Sequence, residues 1–242
     1  MTMVRLYLNT QLDTGKEISL QEHQVHYLRN VLRCRVGDQL HLFNAHSGEW
    51  LAKLEGLTKS QGSVVVLEQI RPVTAEPDVD LLFAPLKQEA THYMIEKATE
   101  LGVARLLPVT TEFVQVHKIN LEKLNRYGVD AAQQCERLSV PEVLPLRSLQ
   151  GVLQAWDSNK LLIVCLERQD SVPLVQLLQG LDRSQQLAFL IGPEGGLSGK
   201  DIKTLTAYPF VRFCKMGPRI LRAETAAAAA LACYQSLRGD WQ

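Results

Sequence analysis

Apolar residues follow two different rhythms along the 242-residue chain. Over residues 1–72 they come in short runs broken by turns: VRLYLN, EISL, DQLHLFNA, EWLAKLEGL and GSVVVLEQI. Runs of that length, bounded by turn-forming residues, predict strands. One segment among them, LQEHQVHYLRNVLR, has helical spacing instead, which puts Val25, Leu28, Val31 and Leu32 on an apolar face. Strands with a single helix predict a small β-barrel over 1–72. The stretch RPVTAEPDVD then offers prolines and acids but little that packs, so residues 73–78 are expected to be a linker.

From residue 79 the rhythm becomes an alternation of strand and helix. VDLLFAPL is a buried-strand run, and QEATHYMIEKATELGV is a helix with Met94, Ile95, Ala98 and Leu101 on one face and Gly102 at its C-terminal cap. ARLLPV follows as a strand, then a long helix from about Leu121 to Arg137. LLIVCL and LAFLIG are continuous apolar runs of strand length, as a sheet covered on both faces requires. A last helix runs from about Glu224 to Leu237. This order predicts a largely parallel α/β sheet over 79–242.

Composition narrows the class without naming a function. With 46% hydrophobic and 21% charged residues the chain is a globular one, and no apolar run is long enough to span a bilayer. The opening MTMVRLYLNT lacks the apolar core and cleavage site of a signal peptide. The 5 cysteines are scattered and form no CxxC pair, which argues against a zinc site or a disulfide framework. A cytoplasmic location and no metal are therefore expected. The 26 basic and 26 acidic residues balance, so a nucleic-acid partner has to be met by a local patch.

The segment LIGPEGGLSGKD invites comparison with phosphate cradles, because it joins a strand to a helix capped by Ser198 with Asp201 at the third helical position. Its residues do not fit that role. Gly199-Lys200 is followed by Asp201, the position five before Gly199 is Glu194, and GxGxxG spacing is absent. A carboxylate in the turn would repel a phosphate. What the turn does offer is main chain, since Gly192, Gly195 and Gly196 let a flat ring approach backbone N–H and C=O groups. A ligand-free connection explains the turn equally well. Further on, KMGPRILRAETAAAAALACYQSL sets two arginines before an alanine-rich helix, which by itself is also only a well-capped helix with solvated arginines.

Together the two segments are specific. LIGPEGGLS followed by MGPRILRAETA resembles the signature pair of the SPOUT methyltransferases, and within them the bacterial small-subunit (16S) rRNA uridine-N3 methyltransferases, the RsmE family. HYLRNVLRCRVGD, EKATELGV, AAQQCERLSVPEV and RGDW resemble further segments of that family, so the likeness covers almost the whole chain. The resemblance implies an N-terminal PUA-like barrel and a C-terminal domain whose chain end is threaded into a trefoil knot. It also implies a homodimer, with 16S rRNA or the assembled small subunit as substrate. The cofactor it implies is S-adenosylmethionine, held by Leu166 and Glu167, by Gly192, Glu194, Gly195 and Gly196, and by Met216, Gly217, Ile220, Leu221, Thr225 and Ala226.

Methylating uracil N3 requires loss of a proton or stabilisation of the anion. Arg219 and Arg222 are assigned to the substrate end, and Glu224 is either the base or the partner of Arg222 in a loop-shaping ion pair. RNA contact is placed on the N-terminal helix, where His23, His26, Arg29 and Arg33 line one face with Arg35 just beyond. Residues 1–72 as a whole count 8 basic against 7 acidic residues, so any RNA field is local to that helix. Lys97 and Glu100 form a partly buried pair or a solvated face, and His92 is expected on the surface. Two positions depart from the family pattern: Glu136 stands where the family usually has glycine, and Glu112 where it often has a basic residue. The rival functions are a ribose 2′-O-methyltransferase of the same superfamily, which the resemblance disfavours because those enzymes usually lack such an N-terminal barrel, and a non-catalytic assembly factor, which the intact GPEGG and RILRAETA disfavour.

Overall fold

The computed structural model describes residues 3–166 and 171–241. The chain divides into two units, one of residues 1–75 with 132–140, the other of 76–131 with 141–242.

The first unit is built on a five-stranded sheet of β1 (Arg5–Tyr7), β2 (Glu17–Ser19), β3 (Gln39–Asn44), β4 (Gly48–Leu57) and β5 (Gly62–Arg71), in the order β1-β3-β4-β5-β2. Only the β1–β3 pair is parallel. Register shifts along β4 and β5 bend that long hairpin, so that inward residues such as Leu42, Leu54 and Val64 meet in one core. The expected helix is shorter than its sequence pattern. α1 covers Glu22–His26 and passes into a π-helical turn over Tyr27–Val31, closed by the Leu32 N–H donating to the Tyr27 carbonyl at 3.0 Å. The wider turn shifts every later side chain out of the α register, by about 100° per extra residue. Val25 and Leu28 are buried as expected, but Val31 and Leu32 turn outward, with Val31 57% exposed. Arg33 then takes a left-handed φ of 59°, so it lies beyond the helix and off the face shared by His23 and His26.

Residues 132–140 join this unit through Arg5. Its guanidinium, buried 4.0 Å from the centre of the Phe43 ring, donates to the carbonyls of Ala132 (2.8 Å), Gln133 (3.2 Å) and Arg137 (3.1 Å). Its Nε meets the Glu49 carboxylate at 2.6 Å, and the same carboxylate takes Arg71 at 2.8 Å and His41 at 3.1 Å. Arg71 also donates to the Glu136 carbonyl. Arginine thus satisfies the carbonyls that the end of a helix leaves open. That helix, α3 (Leu121–Gln134), stops short of the expected Arg137 because Glu136 adopts a left-handed φ of 62°. Such a turn is one that glycine makes without strain.

The second unit carries a parallel sheet. Its strands are β6 (Val79–Phe83), β7 (Val103–Thr110), β8 (Glu142–Val143), β9 (Arg147–Ser148), β10 (Leu161–Cys165), β11 (Val172–Pro173), β12 (Leu187–Ile191) and β13 (Val211–Lys215). The order is β11-β13-β10-β12-β6-β7-β8, with β9 also on β7, and every pair is parallel. β6 and β12 are buried along their whole length, which accounts for the unbroken apolar run of β12 and for that of β6 apart from Asp80. Helices α2 (Gln88–Glu100), α5 (Leu174–Gly180) and α7 (Ala223–Arg238) cover one face, where Met94, Leu178 and Leu231 share a core with Phe189. α4 (Leu149–Gln154) and α6 (Gly199–Thr206) cover the other, through Val152 and Leu205. Gly102 follows α2 at φ 77°, where an added Cβ would lie 2.5 Å from Gln235 Nε2 of α7. The short strands β8, β9 and β11, helices α4 and α5, and strand β13 have no counterpart among the sequence-based elements.

Candidate functional site

Three strands that are neighbours in the sheet, in the order β13-β10-β12, end side by side. Beyond the carboxyl ends of parallel strands is where α/β sheets place ligands. Here the chain leaves β10 through Leu166, β12 through the turn from Gly192, and β13 through Met216 to Arg222. These segments and the start of α7 enclose a cavity of about 800 Å³.

Each wall has a local cause. In the turn after β12, the Gly196 N–H donates to the Pro193 carbonyl at 2.8 Å, and Gly196 holds φ 75°. α6 then starts on a reciprocal cap: the Asp201 N–H donates to Ser198 Oγ at 3.0 Å, and Asp201 Oδ2 accepts from the Ser198 N–H at 3.1 Å. The same Oδ2 accepts from the Glu112 N–H at 3.2 Å, which ties the loop after β7 to the glycine turn. A Cβ at Gly195 would come within 3.2 Å of Phe113 Cβ, so that glycine is what lets the loop lie close. Gly217, at φ 101°, makes the bend after β13.

Of the residues assigned to the cofactor, Leu166, Gly192, Glu194, Gly195, Gly196, Met216, Gly217, Ile220, Leu221 and Ala226 all line this one cavity, as do Arg219 and Arg222. Glu167 lies outside the described residues. Glu224 and Thr225 are not on the cavity wall. α7 begins at Ala223, and at about 100° per residue its first turn sends Ala223 and Ala226 inward and the two residues between them away. Glu224 sits instead in the first turn of α7, where a carboxylate favours the helix dipole. No hydrogen bond or ion pair joins it to Arg222 among the described residues. Arg219 and Ile220 are both exposed at the cavity mouth.

Cys165, Ile191, Leu197 and Ile202 also line the cavity and were not singled out in the sequence. The apolar runs ending in Cys165 and Ile191 could have supplied the first two, whereas Leu197 and Ile202 belong to a turn and helix whose folding back only the structure reveals. Cys165 Sγ lies 3.7 Å from Cys214 Sγ on β13. The Cys214 contact and burial push the Cys165 thiol well above its ordinary range, which disfavours the thiolate. No group of metal-binding side chains is found among the described residues.

On the first unit His26, Arg29, Arg33 and Arg35 are all exposed. On the second, Lys97 is held by Glu96 at 2.7 Å and Glu100 at 2.8 Å, contacts that raise its amine above the usual lysine range. His92, expected on the surface, is half-buried and stacks on Tyr127 with ring centres 3.8 Å apart.

The comparisons agree on one family. Residues 74–235 match the family model described as RNA methyltransferase domain, and residues 20–67 match the RNA methyltransferase PUA domain. A ribosomal RNA small subunit methyltransferase E of Rickettsia conorii is 31% identical over 94% of this chain and 93% of its own. The protein of that name from Bacillus subtilis is 29% identical over 95% of each chain. Among solved structures, the ribosomal RNA small subunit methyltransferase E of Neisseria gonorrhoeae bound to S-adenosyl methionine superposes with a TM-score of 0.89. It is 26% identical and covers 99% of this chain and 100% of its own.

Proposed function

The chain belongs to the ribosomal RNA small subunit methyltransferase E family, and on that premise we propose that it methylates N3 of a uridine in 16S rRNA with S-adenosylmethionine as donor. One observation carries the assignment: both signature segments, LIGPEGGLS and MGPRILRAETA, form walls of a single cavity at the ends of β10, β12 and β13. The enzyme works in the cytoplasm as a homodimer on 16S rRNA or the assembled small subunit, and the three loops are those of a trefoil knot. No helix among the described residues is long and apolar enough to cross a membrane.

The cavity suits the cofactor in size and in chemistry. About 800 Å³ is room for a nucleoside with an amino-acid arm. Glycines at 192, 195 and 196 bare the main chain to the edge of an adenine, and Ile191, Leu166 and Leu221 supply apolar wall. The exposed Glu194 carboxylate is compatible with a cationic sulfonium and would oppose a phosphate. When bound, S-adenosylmethionine supplies the methyl group as an electrophile on that sulfonium. Arg219 and Arg222, at the mouth, orient the uracil and stabilise negative charge on its carbonyl oxygens, which favours the N3 anion. With Glu224 off the cavity wall, the N3 proton passes to solvent, and Glu224 serves the start of α7.

Calorimetry with S-adenosylmethionine tests the cofactor, and absence of binding would favour an assembly factor without catalysis. Mass spectrometry of small-subunit rRNA from cells with and without the gene tests the product: loss of one N3-methyluridine is expected. At saturating cofactor, Arg219→Ala should lower turnover at least tenfold while Glu224→Gln retains most of it. Normal turnover in Arg219→Ala would remove the charge-stabilising role.

A further inference from the structure

The loop after β7 places an aromatic ring against the glycine turn that forms one wall of the cavity. Thr111 and Val114 are buried at 7% and 5% exposure, and the Glu112 N–H is held by the capping carboxylate of Asp201 at 3.2 Å. Between these anchors Phe113 projects and is 49% exposed. It belongs to none of the hydrophobic clusters of its unit, so its ring contributes little to the core. Yet its Cβ packs where a Cβ on Gly195 would be 3.2 Å away, and Gly195 is cavity wall. Phe113 itself does not line the cavity; it packs against Gly195, which does.

We infer that Phe113 is a positioning residue for the RNA, a platform on which the target base or its neighbour stacks as it is drawn out of the RNA toward the methyl donor. The inference rests on the methyltransferase assignment above. A half-exposed phenylalanine held from both sides is an apolar surface kept for a partner, and a base is the flat apolar face that an RNA substrate offers. Enzymes that work on a base must unstack it first, and an aromatic ring compensates part of that cost. The charges around the ring select the same part of the RNA. Glu112 and Glu194, both exposed beside it, oppose the phosphate backbone but not a neutral base.

The test uses the full-length enzyme with undermethylated small subunits from cells lacking the gene. Phe113→Ala should raise KM for the subunits by about 5- to 150-fold, the span that loss of one base–aromatic stack gives. Its calorimetric affinity for S-adenosylmethionine should stay unchanged. Phe113→Trp should restore the KM, and Phe113→Leu, apolar but without a π face, should not. Rescue by leucine, an unchanged KM in Phe113→Ala, or a loss confined to cofactor affinity would each overturn the inference. If instead the wild-type protein neither binds the cofactor nor methylates the subunits, it is the underlying assignment that fails.

Discussion

Removing the carboxylate of Asp80 should destabilise the second unit more than any surface change. Asp80 lies near the start of β6, at the end of the sheet opposite the cavity, and is 0% exposed. It accepts from Arg105 at 2.9 and 2.6 Å and from Lys160 Nζ at 2.8 Å, and Lys160 is itself only 3% exposed. Asp80→Ala would leave that ammonium buried with Asp78, whose side chain is 50% exposed, as its remaining ion partner. Breaking a buried pair on one side costs about 3–5 kcal/mol, because the surviving charge keeps its desolvation penalty and loses its compensation. With a urea m-value of about 2 kcal/mol/M, the midpoint should fall by about 1.5–2.5 M. Trp156 reports on this unit, since its Nε1 donates to the Lys160 carbonyl at 2.7 Å, and its fluorescence can be isolated with Trp50→Phe and Trp241→Phe. Adding Lys160→Met should recover much of the loss by removing the stranded charge. A loss below about 1 kcal/mol, the level of an exposed pair, would refute the account.

Glu136→Gly should raise the stability of the first unit by about 0.5–1 kcal/mol in urea titration, because the left-handed strain outweighs the entropy cost of glycine, while Glu136→Ala should gain nothing. Gly196→Ala meets no atom within 4 Å but must hold φ 75°, so it should cost about 1 kcal/mol, read as a fall of about 2–4 °C in Tm. Gly195→Ala instead pushes on Phe113 and should raise the KM for small subunits as Phe113→Ala does. Partial desolvation pushes the Asp130 carboxyl up despite Arg126 and His92, although the residue stays largely exposed, so the effect is small. Its native form therefore holds the proton more tightly than the unfolded chain does, and stability falls as pH rises through the two values. Asp130→Asn should then raise Tm at neutral pH, with the gain vanishing at pH values below the unfolded carboxyl's range.

How much of this was legible depended on whether one element or several decided a feature. β12 was readable because both its faces are covered and every residue is apolar, and β6 reads the same way except at Asp80, whose partners Arg105 and Lys160 the run does not reveal. β13 escaped because its short run is mixed: Val211 and Cys214 are buried while Arg212 is exposed, and five such residues also suit a loop. The N-terminal helix was overextended for the opposite reason. Its apolar spacing continues to Leu32, but the backbone leaves the α register at Tyr27, and periodicity assumes an unbroken register.

The site shows the same division. Glycine turns and paired arginines can be read locally, and their meeting in one cavity follows only from the adjacency of β10, β12 and β13, which no spacing along the chain encodes. Glu224 illustrates the limit: only two residues after Arg222, it is turned from the cavity by one residue's rotation past Ala223 at the start of α7. Glu136 illustrates the gain. The sequence presented it as a departure at a glycine position, and its φ of 62° supplies the reason glycine suits that place. The chain tolerates the strain because Arg5 and Arg71 hold the carbonyls on either side of the bend, both through the single buried carboxylate of Glu49. The conformation of residues 132–137 is therefore set by a side chain nearly ninety positions away, and Glu49→Gln should disturb that segment before it disturbs the sheet.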